Sequence, residues 1–273
     1  MNLGGLFDKV TKKISAEERD RLSQDLHTAA GNGDLEAVRE CHEKGADINY
    51  KYDNLGTALI AAASDNHLPV VDYLLTMKAD VTLTNMFNQT ALHISIRQGA
   101  DNALSLKLID AAAPVNGRDT HGATPSFYAA QNANAEALEA LAQKCADFTL
   151  ANKHDVTPLM QATMASHAEA IDVLTKYKCG LDQQDEDGRT ALMHAVIGRN
   201  AALVKKYLSL GANFDTWDKN GDTALALAKQ SPGRKEIVDI LEQAATERLR
   251  PFHSGTDGSV TIMKRLVLKG ASA

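Results

Sequence analysis

Two kinds of apolar run alternate along most of the chain. The first is short and built of small residues, as in Ala58-Leu-Ile-Ala-Ala-Ala and Ala191-Leu-Met-His-Ala. The second carries larger groups: Val70, Val71, Leu74 and Leu75 in one place, Leu203, Val204, Tyr207 and Leu208 in another. Apolar positions that recur three to four residues apart share one helix face, so both runs predict helices. Polar breaks divide each pair, at Ser64-Asp65-Asn66-His67, Arg97-Gln98-Gly99 and Gln131-Asn132-Ala133-Asn134. After the second run, Gly45-Ala-Asp-Ile-Asn and Gly211-Ala-Asn-Phe-Asp supply a glycine able to take the left-handed conformation of a helix end. An extended stretch then reaches Asp187-Gly188 or Asn220-Gly221, dipeptides suited to a tight hairpin.

Six threonines open the small-residue runs. Thr57, Thr90, Thr124, Thr157, Thr190 and Thr223 stand 33, 34, 33, 33 and 33 residues apart. A threonine N-cap, followed at Pro125 and Pro158 by proline in the first helical position, is a strong helix start. A period this regular means one supersecondary unit stacked on copies of itself. The expected fold is therefore an all-α solenoid with short β-hairpin fingers. Residues 24–244 form about seven repeats, 1–23 an amphipathic capping segment, and 245–273 a second cap or a degenerate eighth repeat.

Thr157-Pro-Leu, Thr90-Ala-Leu-His and Gly45-Ala-Asp-Ile-Asn together resemble the ankyrin-repeat family. The resemblance covers roughly 24–244, with Leu26-His27-Thr28-Ala29-Ala30 as the first helix of copy one. The helix-ending glycine is replaced by Lys78, Ala112, Cys145 and Lys178 in the middle copies. A left-handed non-glycine residue costs about 1 kcal/mol, so those copies should be looser or end their helices differently.

The resemblance implies that finger tips and the exposed ends of the first helices form one concave binding face. The tips are Tyr52-Asp53-Asn54, Met86-Phe87, Thr120-His121, Lys153-His154, Glu186-Asp187 and Lys219-Asn220. The helix ends are Ser64-Asp65, Arg97-Gln98, Gln131-Asn132, Met164 and Ile197. Turn tips are ordinarily polar, so Tyr50, Tyr52, Met86, Phe87 and Trp217 break the rule. Each either meets a partner or folds back onto a neighbouring finger.

At the N-terminus, Ser15-Ala-Glu-Glu18 reads as a capping box that starts a helix running through Leu22 and Leu26. Upstream, Leu3, Leu6, Phe7, Val10 and Ile14 form an apolar stripe opposite Lys9, Lys12 and Lys13. That pattern suits a helix folded over copy one, or an interfacial helix docking on a membrane or partner. Residues 262–272 mimic the second helix at 203–213, as an eighth copy would.

Composition narrows the function. The first 22 residues carry +1 and residues 245–273 carry +3, leaving −10 on the repeats and −6 overall. Nucleic acid would demand basic patches instead. No apolar run approaches the roughly 20 residues of a membrane span. Cys41, Cys145 and Cys179 lack a pairing motif and read as free thiols packed as small hydrophobes in a reducing, cytoplasmic setting, although export of a mature form stays open.

Chemistry is absent from the pattern. Asp185-x-Asp187-Gly188 starts like a calcium loop, but His194 replaces its late glutamate. His121 and His154 share a turn position in consecutive copies, too far apart for one metal. The expectation is a monomeric, non-catalytic adaptor or inhibitor that binds a folded protein without cofactor or metal. Its contact residues would be Tyr52, Asp53, Met86, Phe87, Arg97, Gln98, His121, Gln131, Lys153, His154, Met164, Glu186, Trp217 and Lys219. The alternative is a membrane-peripheral scaffold recruited through the N-terminal stripe.

Overall fold

In the computed structural model, which describes residues 14–99 and 102–249, each periodic threonine stands one residue ahead of a helix. The threonine hydroxyls accept the amides of Ile60, His93, Phe127, Met160, Met193 and Ala226 at 3.2 to 3.5 Å. All but Thr223 are buried. The hydroxyl thus answers an orphan amide that water cannot reach.

Among the described residues, fourteen helices form seven pairs. Copy one holds α1 (Ala16–Gly31) and α2 (Leu35–Glu43), copy two α3 (Ala58–Ser64) and α4 (Leu68–Thr76). Copy three holds α5 (Ala91–Gln98) and α6 (Asn102–Asp110), copy four α7 (Pro125–Gln131) and α8 (Ala135–Gln143). Copies five and six hold α9 (Pro158–Met164), α10 (Ala168–Lys176), α11 (Ala191–Ile197) and α12 (Ala201–Ser209). Copy seven holds α13 (Ala224–Lys229) and α14 (Lys235–Leu249). First helices pack in sequence order from α1 to α13, and one continuous core runs between the two layers. Alanine-rich first helices allow this close approach. Leu74, Leu108, Leu138, Leu174 and Tyr207 of the second helices supply the bulk.

Neighbouring copies complete each other's helices. The C-terminal carbonyls of a first helix lack intrahelical donors, and side chains of the next copy provide them. His67 Nε2 lies 2.9 Å from Gly31 O, and Asn132 Nδ2 donates to Ile96 O and Arg97 O at 2.8 and 3.0 Å. His167 Nδ1 lies 3.0 Å from Ala130 O, and an Arg234 guanidinium nitrogen donates to Ile197 O at 3.1 Å.

The outer faces of the second helices are bridged by ion pairs between copies. Lys107 pairs with Asp72 at 2.7 Å, Lys144 with Asp110 at 3.2 Å and Lys176 with Glu139 at 2.9 Å. Lys206 pairs with Asp172, and Lys205 with Glu236 at 3.1 Å. Pairs this exposed contribute at most about 1 kcal/mol each.

Three of the four glycine replacements accept the left-handed conformation: Lys78, Ala112 and Cys145 have φ of 63°, 61° and 60°. Copy five ends its helix differently. Tyr177 is extended, and Gly180 takes the positive φ of 65° two residues beyond Lys178. Contact between α10 and α12 is slight there, and a cavity of about 330 Å³ opens beside Tyr177, Cys179, Leu181 and Leu210. All three cysteines are free thiols. The expectation that they pack as small hydrophobes fails for Cys145, which its left-handed position exposes. Cys179 is buried, and burial pushes its thiol pKa up.

At the N-terminus, Ser15 Oγ accepts the Glu18 amide at 3.1 Å, the serine half of the expected box. A reciprocal box occurs instead at Thr90–His93. Leu3, Leu6, Phe7 and Val10 of the apolar stripe and the eighth-copy mimic at 262–272 lie outside the described residues, and Ile14, the last of the stripe, is half-buried. No described helix is long and apolar enough to cross a membrane.

His93 couples this geometry to pH. Its Nδ1 accepts the Thr90 amide at 3.2 Å, so Nε2 carries the proton and donates to Gly117 O at 3.0 Å. Burial lowers its pKa despite the Gly117 carbonyl and Asp119, and burial likewise lowers that of His27. Below the ordinary value of 6.5 the unfolded chain binds protons that the fold refuses. Urea midpoints should therefore fall as pH drops from 7.5 to 5.5, and fall less in His93→Gln. Equal slopes would remove His93 as the cause.

Candidate protein-binding surface

Six fingers join the seven pairs, each taken as belonging to the copy whose threonine follows it. In five, one residue closes the turn. Asn85, Asp119, Asn152, Asp185 and Asp218 each accept, on Oδ1, the amides two and four residues ahead, at 2.8 to 3.0 Å. A short polar side chain that bonds its own backbone in this way fixes the turn. The finger of copy two has Tyr52 instead, bridged through its backbone to Gly56 at 2.8 Å.

Each tip is tied to the one before it. The amide of Met86 donates to Asn54 O at 3.1 Å, Thr120 to Phe87 O at 2.9 Å and Lys153 to His121 O at 2.8 Å. Glu186 donates to His154 O at 3.1 Å and Lys219 to Asp187 O at 2.9 Å. Residues scattered from 54 to 219 thus form one hydrogen-bonded row.

Nearly all the expected contact residues are exposed on this row or at first-helix ends. Asp53, Met86, Phe87, His121, Lys153, His154, Glu186, Trp217 and Lys219 are exposed on fingers. Arg97, Gln98, Gln131 and Met164 are exposed at the ends of α5, α7 and α9. The aromatics divide. Tyr52 is half-buried with its ring 5.0 Å from His27, and Tyr50 OH accepts from Gln24 Nε2 at 3.4 Å, so both fold back. Phe87 and Trp217 do not, at 47% and 67% exposure.

One tip residue escaped the reading of the sequence. Leu55, 58% exposed, sits beside Met86 across the Asn54–Met86 bond. An apolar residue in the turn Asn54-Leu55-Gly56 is as misplaced as Phe87, and that signal was available. Of eight large hydrophobic residues exposed in the described regions, four lie on fingers (Leu55, Met86, Phe87, Trp217) and two at first-helix ends (Met164, Ile197). Only Met77 and Leu210 lie elsewhere. Exposed apolar surface is therefore concentrated on one set of elements.

The finger carboxylates are occupied internally. Asp119 Oδ2 accepts Tyr128 OH at 2.6 Å and Gln89 Nε2 at 3.2 Å. Burial would raise the Asp119 pKa, but hydrogen bonds from Tyr128, the Ala123 and His121 amides and Gln89 hold it below the ordinary carboxylate range. Burial, and then Asp119, push Tyr128 up to about 12. Asp185 Oδ2 lies 2.7 Å from His194 Nε2, so the would-be calcium loop spends its first carboxylate on its own helix. His154 Nδ1 lies 2.9 Å from Glu186 Oε2.

Comparison with known proteins agrees with the geometry. A family profile described as ankyrin repeats (three copies) matches residues 26–119, 103–185 and 159–247. The solved ankyrin repeat domain of Bcl-3, of the IkappaB protein family, superposes with a TM-score of 0.70 at 24% identity, over 80% of this chain and 97% of that one. The "Probable E3 ubiquitin-protein ligase XBOS33" of Oryza sativa subsp. japonica is 37% identical over 33% of this chain and 17% of its own length. The "Probable 26S proteasome regulatory subunit p28" of Saccharomyces cerevisiae is 32% identical over 44% of this chain and 53% of its own. The chain spans less than a fifth of the rice protein and about half of the yeast one.

Phe87→Ala and Trp217→Ala remove groups the fold does not use, so each should change unfolding stability by no more than about 0.5 kcal/mol. Tyr128→Phe removes a donor from buried Asp119 and should cost about 1.5 to 3 kcal/mol. Urea unfolding of the three variants checks the contrast.

Proposed function

Since this chain belongs to the ankyrin-repeat family, we propose that it is a non-catalytic adaptor or inhibitor that grips a folded protein. Arrays of this family serve as protein-interaction modules. The relatives named above differ in their stated roles, and what they share with this chain is the array. The proposed grip lies on the finger row and the first-helix ends, which the family arrangement puts on one concave face.

One observation carries the reading: six of the eight exposed large hydrophobic residues stand on those two rows. The outer faces of the second helices, in contrast, spend many of their charges on pairs between copies. Fingers bonded tip to tip present their side chains already positioned, which lowers the ordering cost of association. Phe87 and Trp217 are the anchors, since buried aromatics dominate interface energies. Arg97, Gln98, Gln131, Lys153 and His154 form the polar surround.

Affinity purification from the native cell with mass spectrometry identifies the partner. Truncating either anchor should then weaken that complex by about 2 kcal/mol, roughly 30-fold. Wild-type affinity in both Phe87→Ala and Trp217→Ala would move the site off the fingers.

A further inference from the structure

The fingers are not electrically alike. Over the six residues ahead of each threonine, charges cancel in the fingers of copies two to five but sum to −2 at 184–189 and −1 at 217–222. Glu186 and Asp187 are exposed at the first of these tips, Glu186 beside His154 at 2.9 Å and Asp187 paired with Arg189 at 3.0 Å, and the Lys219–Asp187 backbone bond sets the two tips side by side. Trp217, two-thirds exposed, stands on the second.

Between these fingers lies Asp218, whose side chain is fully buried. Its Oδ1 accepts the amides of Asn220 and Asp222, but its Oδ2 has no hydrogen-bond partner. The same oxygen is answered by Tyr128 in copy four and by His194 in copy six. Copy seven has Leu227 at that helix position, which cannot donate. Arg189 Nε, 3.9 Å away and itself without a partner, is too far to bond. It is near enough for its guanidinium charge to offset much of the Asp218 carboxylate, so the acidity available to a ligand lies at the tips and not in this buried group.

We propose, resting on the reading that the fingers are the binding face, that the fingers of copies six and seven form a subsite for a cationic segment of the partner. An arginine or lysine lays its aliphatic stem along Trp217 and turns its charge toward the net-negative tips of Glu186 and Asp187, as long amphipathic side chains pack a stem on an apolar surface and keep the head in a polar one. The row then has an apolar end and an acidic end. Leu55, Met86 and Phe87 take the partner's apolar side, and the acidic tips take its basic side.

The test needs no knowledge of the partner. The full chain is titrated with acetyl-Arg-Arg-Leu-Arg-Arg-amide and, as control, acetyl-Glu-Glu-Leu-Glu-Glu-amide. Binding is read from the fluorescence of Trp217, the sole tryptophan, and from the backbone amide shifts of 184–189 and 217–222. The basic peptide should give a saturable response confined to those residues. Its affinity should fall about threefold to tenfold in Glu186→Gln/Asp187→Asn, and similarly between 50 and 300 mM salt. Asp53→Asn, in the finger of copy two, should leave it unchanged. The subsite is overturned by no saturable shift in either readout, by an equal response to the acidic peptide, or by equal weakening in Asp53→Asn. If the peptide fails while Phe87→Ala still weakens the natural complex, only the cationic subsite falls. If both fail, the finger reading falls with it.

Discussion

Most copies of this array depend on a neighbour to satisfy their polar groups. The carbonyls that end a first helix are answered by His67, Asn132, His167 or Arg234 of the following copy. The amides that follow the second helices behave alike: Asp80, Asp147 and Asn213 donate at 2.8 Å to Asn49, Asn116 and Asp182 of the preceding copy. An isolated unit would leave these groups to water along with the apolar face that its neighbour covers, whereas in the stack the half-buried carbonyls of Gly31, Ile96 and Ala130 would each cost about 1 to 3 kcal/mol without their donors. Stacking therefore supplies hydrogen bonds as well as apolar burial, and stability belongs to neighbours rather than to units.

The same dependence positions the surface. A turn of six residues cannot by itself hold a tip in place. Here an Asn or Asp at the base of most fingers fixes the turn from within, and the tip-to-tip amide bonds fix each finger against the last. Arg118 extends the tie by donating across to the Ala151 carbonyl. The result is a row of side chains spaced by the packing of the helices beneath, with little freedom left to lose on association.

Departures from regularity fall into two groups. Lys78, Ala112 and Cys145 keep the common backbone and take its strain, so the repeat dictates the conformation against local preference. Copies five and seven change the structure. Copy five moves its left-handed residue to Gly180 and loosens the joint between α10 and α12. Copy seven puts Leu227 where a donor should meet Asp218. The second departure coincides with the acidic tips and the exposed tryptophan.

The spacing of the threonines was enough to read the fold, because a hydroxyl cap followed by small residues has one local meaning and its recurrence has one global meaning. It also marked most of the finger tips. Which aromatics stay exposed was not legible: Tyr52 and Phe87 look alike in their turns, yet only Tyr52 has His27 within stacking distance. Leu55 was legible and overlooked. Cys145 and Cys179 occupy nearly equivalent positions, yet one is exposed and the other buried. Pattern thus determines which elements form and in what order. The donor that reaches each carbonyl or carboxylate, and the rings that remain uncovered, depend on distances across copies that only packing sets.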